Sequence, residues 1–199
     1  IMETFNDCLD KMKGAANNAF ECIALLQKAF SHNSTTPLKD CREKVPSMMK
    51  LEAELTHKIT RLAQEDNALK KYVSIPRLLS GIEEHIEKLS DIINKKIKDD
   101  VLFSDRAISE LAILFQRLKE LLKNTADLLA TGNPILVQHI RECEQDVVKK
   151  ALEYATSHED RLIEGLCLSV ASPLFLNMLN SIRCIACNAN EIAMKFVQE

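Results

Sequence analysis

With 199 residues and 46% hydrophobic side chains, the chain is long enough to bury a substantial core; four glycines, five prolines, no tryptophan and 5% aromatics leave little material for a β-rich fold and suit helices packed by leucine, isoleucine and alanine. The net charge of −3 comes from 26 basic and 29 acidic residues mixed along the chain, so neither nucleic acid nor anionic lipid is the expected partner. No uninterrupted apolar run reaches the ~18 to 20 residues of a membrane span, no secretion signal stands at the start, and a cytoplasmic all-α protein with no membrane insertion of its own is the expectation.

The apolar spacing predicts six helical stretches. The first covers about residues 2–30, with Phe5, Cys8, Leu9, Met12, Ala15, Ala19, Cys22, Ile23 and Leu26 on one stripe. It ends in a loop from Ser31 to Pro37, rich in turn residues. The second runs from near Pro46 to about Tyr72. The third opens at Ser74 with Pro76 in its first turn, a favourable pairing of cap and proline, and continues through Leu78, Leu79, Ile82, Ile86, Leu89 and Ile93 to about Lys98.

After Asp99 and Asp100 the pattern restarts. Ser104 is the expected N-cap of a fourth helix that stops at Thr131-Gly132-Asn133-Pro134. A fifth helix begins there and extends past Tyr154, and a sixth starts at Ser172-Pro173 and runs to about Val197.

The third and sixth helices are related by a shift of 96 positions. Leu78, Leu79, Ile82, Ile86 and Leu89 then fall on Leu174, Phe175, Met178, Ile182 and Ile185, apolar on apolar, and both helices open with a Ser/Pro turn. Two copies of a three-helix unit follow, residues 1–100 and 101–199, stacked as an elongated pair of three-helix bundles.

Several acidic residues share one face of the third helix: Glu84, Glu87 and Asp91 stand at i, i+3 and i+7. The second helix carries Glu54 and His57 one turn apart. With a hairpin turn near residues 72–73, Glu54 stands level with Asp91 and His57 with Glu87, and the four form a candidate metal site for Fe, Zn, Mn or Mg. The same acids also suit a solvated helix face paired with Lys88, Lys95 and Lys96. A di-iron enzyme of the four-helix type would want a second Glu-x-x-His pair.

The seven cysteines, Cys8, Cys22, Cys41, Cys143, Cys167, Cys184 and Cys187, are odd in number and sit at apolar helical positions, which predicts reduced core thiols in preference to a disulfide framework. Cys184 and Cys187 have CxxC spacing but lie within an amphipathic helix, so core packing is expected there too. His158 and Arg161, beside Glu159 and Asp160, suggest a local ion-pair network. Phosphate-cradling glycine loops and nucleophile motifs are lacking, so no catalytic residue is expected and the chain is not read as an enzyme.

A hairpin whose second helix opens with Pro76-Arg77 and reaches Glu87-Lys88-Leu89-Ser90-Asp91-Ile92-Ile93 resembles the PhoU family, whose hallmark helix carries a Glu-Arg-Ile-Gly-Asp-like motif on a duplicated three-helix plan. The second copy, Arg183 to Ala193, keeps the frame and lacks both acids. The segments Phe103 to Leu111 and His158 to Gly165 look most like PhoU-type domains fused to bacterial sodium/phosphate cotransporters. The resemblance implies a cytoplasmic regulator of phosphate transport or signalling, at the inner face of the membrane, whose partner is a phosphate transporter or sensor-kinase component. It also implies a homodimer, with metal on Glu87 and Asp91. The alternative it offers is a structural or dimerisation domain of such a cotransporter, for which residues upstream of Ile1 would be decisive.

Overall fold

The computed structural model describes residues 4–44 and 47–197; Met2 and Pro46, near the expected starts of the first two helices, lie outside them. Among the described residues there are six long helices and a short one: α1 Phe5–His32, α2 Thr36–Lys44, α3 Ser47–Glu65, α4 Ile75–Lys98, α5 Asp105–Thr131, α6 Pro134–Ile163 and α7 Ser172–Met194. The all-α class predicted from composition is the observed one.

Local chemistry marks the helix ends. Thr4 and Asp7 form a capping box at the start of α1, with the Thr4 amide donating to Asp7 Oδ2 at 2.7 Å. The helix stops where Asn33 turns left-handed at φ 51°, and Ser34 N–H closes the turn on the Ala29 carbonyl. Ser104 caps α5 as predicted, its hydroxyl oxygen accepting from Ala107 N–H at 3.2 Å. Gly132, at φ 64°, ends α5; Asn133 then caps α6 through Ile135 N–H, with Pro134 in the first turn.

The ten apolar positions paired by the 96-residue shift are all buried. In each half the first helix packs on the other two, and across the halves α4 lies on α7 and α1 on α5. The buried side chains form one continuous core. Phe30 and Phe103 meet edge to face at 5.8 Å, and Phe103 meets Phe175 at 6.2 Å, so one aromatic run links α1, the α4–α5 connection and α7. At the opposite end Phe5, Tyr72 and Phe196 stack in the same way. Among the described residues α7 alone is long and apolar enough to cross a membrane by composition, and more than half of its most apolar stretch is buried against its neighbours α4, α5 and α6.

Three expectations are corrected. The loop from Ser31 to Pro37 closes early, because Pro37, Leu38 and Cys41 give α2 a buried face of its own. The second long helix ends at Glu65; Asp66 accepts from Ala68 N–H at 2.9 Å and starts a 3-10 helix, Asn67–Tyr72, that packs back on α3. Neither Ser74 nor Ser172 caps its helix with its side chain: Ser74 makes no such bond, and the Ser172 hydroxyl instead meets His158 Nε2 at 3.0 Å.

Candidate functional site: the acidic face of α4

The position of α4 against α3 is set by a residue that the acidic-face pattern does not include. Glu83 stands in the apolar stripe of α4, between Leu79, Ile82 and Ile86, and is 2% exposed. Its carboxylate accepts from Met48 N–H at 2.9 and 3.0 Å and from Met49 N–H at 3.0 Å. These amides belong to the first turn of α3, where backbone donors have no partner within the helix and the helix dipole favours an anion.

This cap puts Met48 opposite Glu83. Continued down the antiparallel pair, Glu54 comes level with Arg77, and Glu52 lines one groove with Arg77, Ser80 and Glu84. Glu87 and Asp91 lie beyond the start of α3, in a groove with Cys41, Arg42 and Ser90. The register therefore differs by roughly fourteen residues from a hairpin turning at 72–73, which separates Glu54 and His57 from Glu87 and Asp91 by about 20 Å of helix. The reason is the connection: the 3-10 helix folds back on α3, so the reversal falls near Glu65.

The four candidate ligands consequently do not converge, and all four are exposed. Glu54 pairs with Lys58 on its own helix, and Arg42 Nη2 donates to Asp91 Oδ1 at 3.0 Å. Glu84 pairs with Lys88 at 2.7 Å, a contact that holds its carboxyl below the usual carboxylate range. No group of three or more His, Cys, Asp or Glu among the described residues is arranged to hold a metal ion. Asp91 already meets the Arg42 guanidinium, and a metal held by Glu87 and Asp91 would lack the Glu54 and His57 side chains.

The matching stretch of α7 behaves differently from expectation as well. Cys184 is half-buried and Cys187 exposed. The Cys187 thiol donates to Glu144 Oε1 at 3.6 Å, and partial burial together with that carboxylate raises its pKa to about 11. It is therefore neither core nor an activated thiolate. Cys8, Cys22, Cys41 and Cys143 are buried and unbridged.

Three further polar groups lie within the bundle. Glu110 on α5 is 2% exposed and is held by both Nη atoms of Arg161 at 3.0 and 2.8 Å, with Arg106 adding a third bond at 3.0 Å. The expected local pairing of Arg161 with Glu159 or Asp160 is thus replaced by a fork reaching from α6 to α5. One turn earlier His158, buried against the Phe175 ring at 4.6 Å, meets the Ser172 hydroxyl. Burial and the nearby Arg161 lower its pKa. Lys96, also buried, donates to Asn33 Oδ1 at 2.8 Å and lies over the Phe30 and Phe103 rings.

No family model and no curated protein matches the chain. Solved structures do. PhoU from Pseudomonas aeruginosa superimposes with a TM-score of 0.82 at 13% identity, over 97% of this chain and 95% of that one. A PhoU-like phosphate regulatory protein from Shewanella oneidensis gives 0.58 at 13% identity, over 94% and 96%. A PhoU-like protein from the same organism gives 0.57 at 14% identity, over 94% and 96%. The chain has the PhoU fold over 97% of its length.

Proposed function

We propose that this protein regulates phosphate transport or phosphate signalling by docking one of its helical faces onto a transporter or sensor-kinase component, without itself catalysing a reaction. The observation that carries this reading is the superposition on PhoU of Pseudomonas aeruginosa over 97% of the chain. The description of the first Shewanella oneidensis relative as a phosphate regulatory protein points the same way.

The face proposed for docking is the outer side of α4 with α2. Glu87 and Asp91 stand exposed beside Arg42, and Glu84 and Lys88 continue the stripe. Exposed ion pairs of this kind contribute little to folding, about 0 to 1 kcal/mol, which leaves them available to exchange partners at a charged surface. In this reading the acidic face recognises a complementary basic surface on the cytoplasmic side of a membrane component.

Chemical cross-linking in phosphate-replete cells, followed by mass spectrometry of the captured complex, tests the proposal. Recovery of a phosphate-transporter or sensor-kinase subunit, weakened by Glu87→Lys/Asp91→Lys, supports it. Capture of that subunit unchanged by the charge reversal sinks the assigned face, and absence of any such subunit sinks the function.

A further inference from the structure

Cys22 on α1 and Cys41 on α2 are both free thiols and both buried, at 1% and 0% exposure. The Cys22 thiol donates to the Cys41 carbonyl at 3.7 Å, and contact with the Cys41 side chain, followed by burial, raises the Cys22 pKa. Beside them Lys44 meets Glu21 at 2.7 Å, so α1 and α2 lie against each other where the thiols stand. A disulfide tolerates only a narrow range of separation, and two cysteines in contact across neighbouring helices meet that demand.

The two helices hold their cysteines with unequal strength. Cys22 stands in the middle of the 28-residue α1. Cys41 is carried by α2, whose nine residues fall short of the ~12 to 15 at which a helix persists without tertiary support. That support is a small buried face of Pro37, Leu38 and Cys41. Cys41 also belongs to the wall of a groove of about 330 Å³ shared with Arg42, Glu87, Ser90 and Asp91. A short helix held this way opens locally at less cost than the core, and each opening uncovers Cys41 while α1 keeps Cys22 in place.

We infer that Cys22 and Cys41 form a reversible oxidation site, at which hydrogen peroxide converts the two thiols into a disulfide that locks α2 onto α1. With α2 open, the Cys41 sulfur attacks one peroxide oxygen and the O–O bond breaks. The departing hydroxide leaves as water with the Cys41 thiol proton, and Cys41 is left as a sulfenic acid. The Cys22 thiol, held protonated, is the poorer first nucleophile. When α2 closes, the Cys22 sulfur attacks the Cys41 sulfur, the S–S bond forms, and the sulfenic hydroxyl leaves with the Cys22 proton as a second water. The thiol pair has lost two electrons and the peroxide has gained them; exchange with a reducing dithiol restores both thiols.

Arg42 follows Cys41 directly and donates to Asp91 at 3.0 Å, so a locked α2 holds Arg42 against the acidic face of α4. What this does to a partner rests on the docking role proposed above, whereas the bond itself does not.

Non-reducing peptide mapping by mass spectrometry tests it, on wild type titrated with hydrogen peroxide until the exposed Cys187 is oxidised. A Cys22–Cys41 linked peptide that dithiothreitol reverses is expected, with amide hydrogen exchange across α2 slowed by at least about tenfold in the oxidised protein. Cys22→Ala should stop at a Cys41 sulfenic acid that dimedone traps, and Cys41→Ala should give neither product. Oxidised Cys187 beside reduced Cys22 and Cys41 overturns the inference. So does oxidation of the pair to sulfinic acids without a link, or a link that leaves exchange across α2 unchanged. None of these readouts involves phosphate, so the site and the regulatory role fail separately.

Discussion

Glu83 on α4 closes the first turn of α3 by accepting the Met48 and Met49 amides across 35 and 34 positions of sequence, and this one contact decides which residues of the two helices face each other. A buried carboxylate against a helix N-terminus is favourable because it meets unpaired donors and the positive end of the dipole together.

Removing it should be costly. Glu83→Ala leaves buried donors without an acceptor and is expected to lower stability by about 1 to 3 kcal/mol, measured as a shift of the urea midpoint. Glu83→Gln keeps one acceptor and should lose less. Hydrogen exchange at Met48 and Met49 should accelerate in the alanine variant before the rest of α3 is affected; equal acceleration throughout the chain would mean that the contact has no local capping role.

The Glu110–Arg161 fork makes a second prediction. Glu110 is 2% exposed and holds Arg161 away from water, so Glu110→Ala strands the Arg161 guanidinium and should cost about 3 to 5 kcal/mol. Arg161→Ala leaves Glu110 its bond from the exposed Arg106 and should cost less. The double substitution Glu110→Ala/Arg161→Ala should cost distinctly less than the two singles together, and denaturant unfolding of all four proteins gives the coupling directly. Strict additivity would show that the pair is not a unit.

Stability should fall in mild acid through the buried histidine. His158 has its folded pKa lowered by burial and Arg161, with Glu110 and Glu159 acting in the opposite sense. The unfolded chain therefore takes up a proton more readily, so the stability this group contributes is complete above its ordinary pKa of about 6.5 and is lost as pH falls below it. His85, also lowered by burial, acts in the same direction. The urea midpoint of wild type should drop from pH 7.5 to pH 5.5, and His158→Gln should remove part of that slope. A His158→Gln slope identical to wild type would contradict the assignment.

The separation of the four acidic-face residues predicts their behaviour toward metal. Glu54→Ala/His57→Ala should leave the metal content of protein purified without a metal column unchanged, as read by plasma mass spectrometry, because those side chains stand about 20 Å from Glu87 and Asp91. Stoichiometric Fe, Mn or Zn that disappears both in this variant and in Glu87→Ala/Asp91→Ala would require the hairpin register described here to be wrong.

What could be read from the sequence divides along the range of the interactions. The apolar stripes of α4 and α7, their 96-residue relation and the Ser104 cap are local patterns, and each marks a feature seen in the structure. The nine-residue α2 is shorter than the window in which helical periodicity shows, and its Pro37 reads as a turn residue. The α3–α4 register depends on Glu83 meeting a helix start some 35 residues away and on the 3-10 helix folding back, neither of which leaves a periodic trace. A signal was available all the same: Glu83 and Glu110 are carboxylates standing inside apolar stripes, where an acid has to be buried and paired. Cys187 misled in the opposite sense, because a cysteine in an amphipathic helix usually packs inward and this one lies at the edge of α7, against Glu144.

The most direct test of the regulatory role is phosphate uptake in cells from which the gene has been deleted, measured with radiolabelled phosphate in phosphate-replete medium. Uptake should rise above wild type and return to it when the intact chain is restored, but not when Glu87→Lys/Asp91→Lys is supplied. Uptake unchanged by the deletion would contradict a role in phosphate regulation and leave the chain with the PhoU fold put to another use.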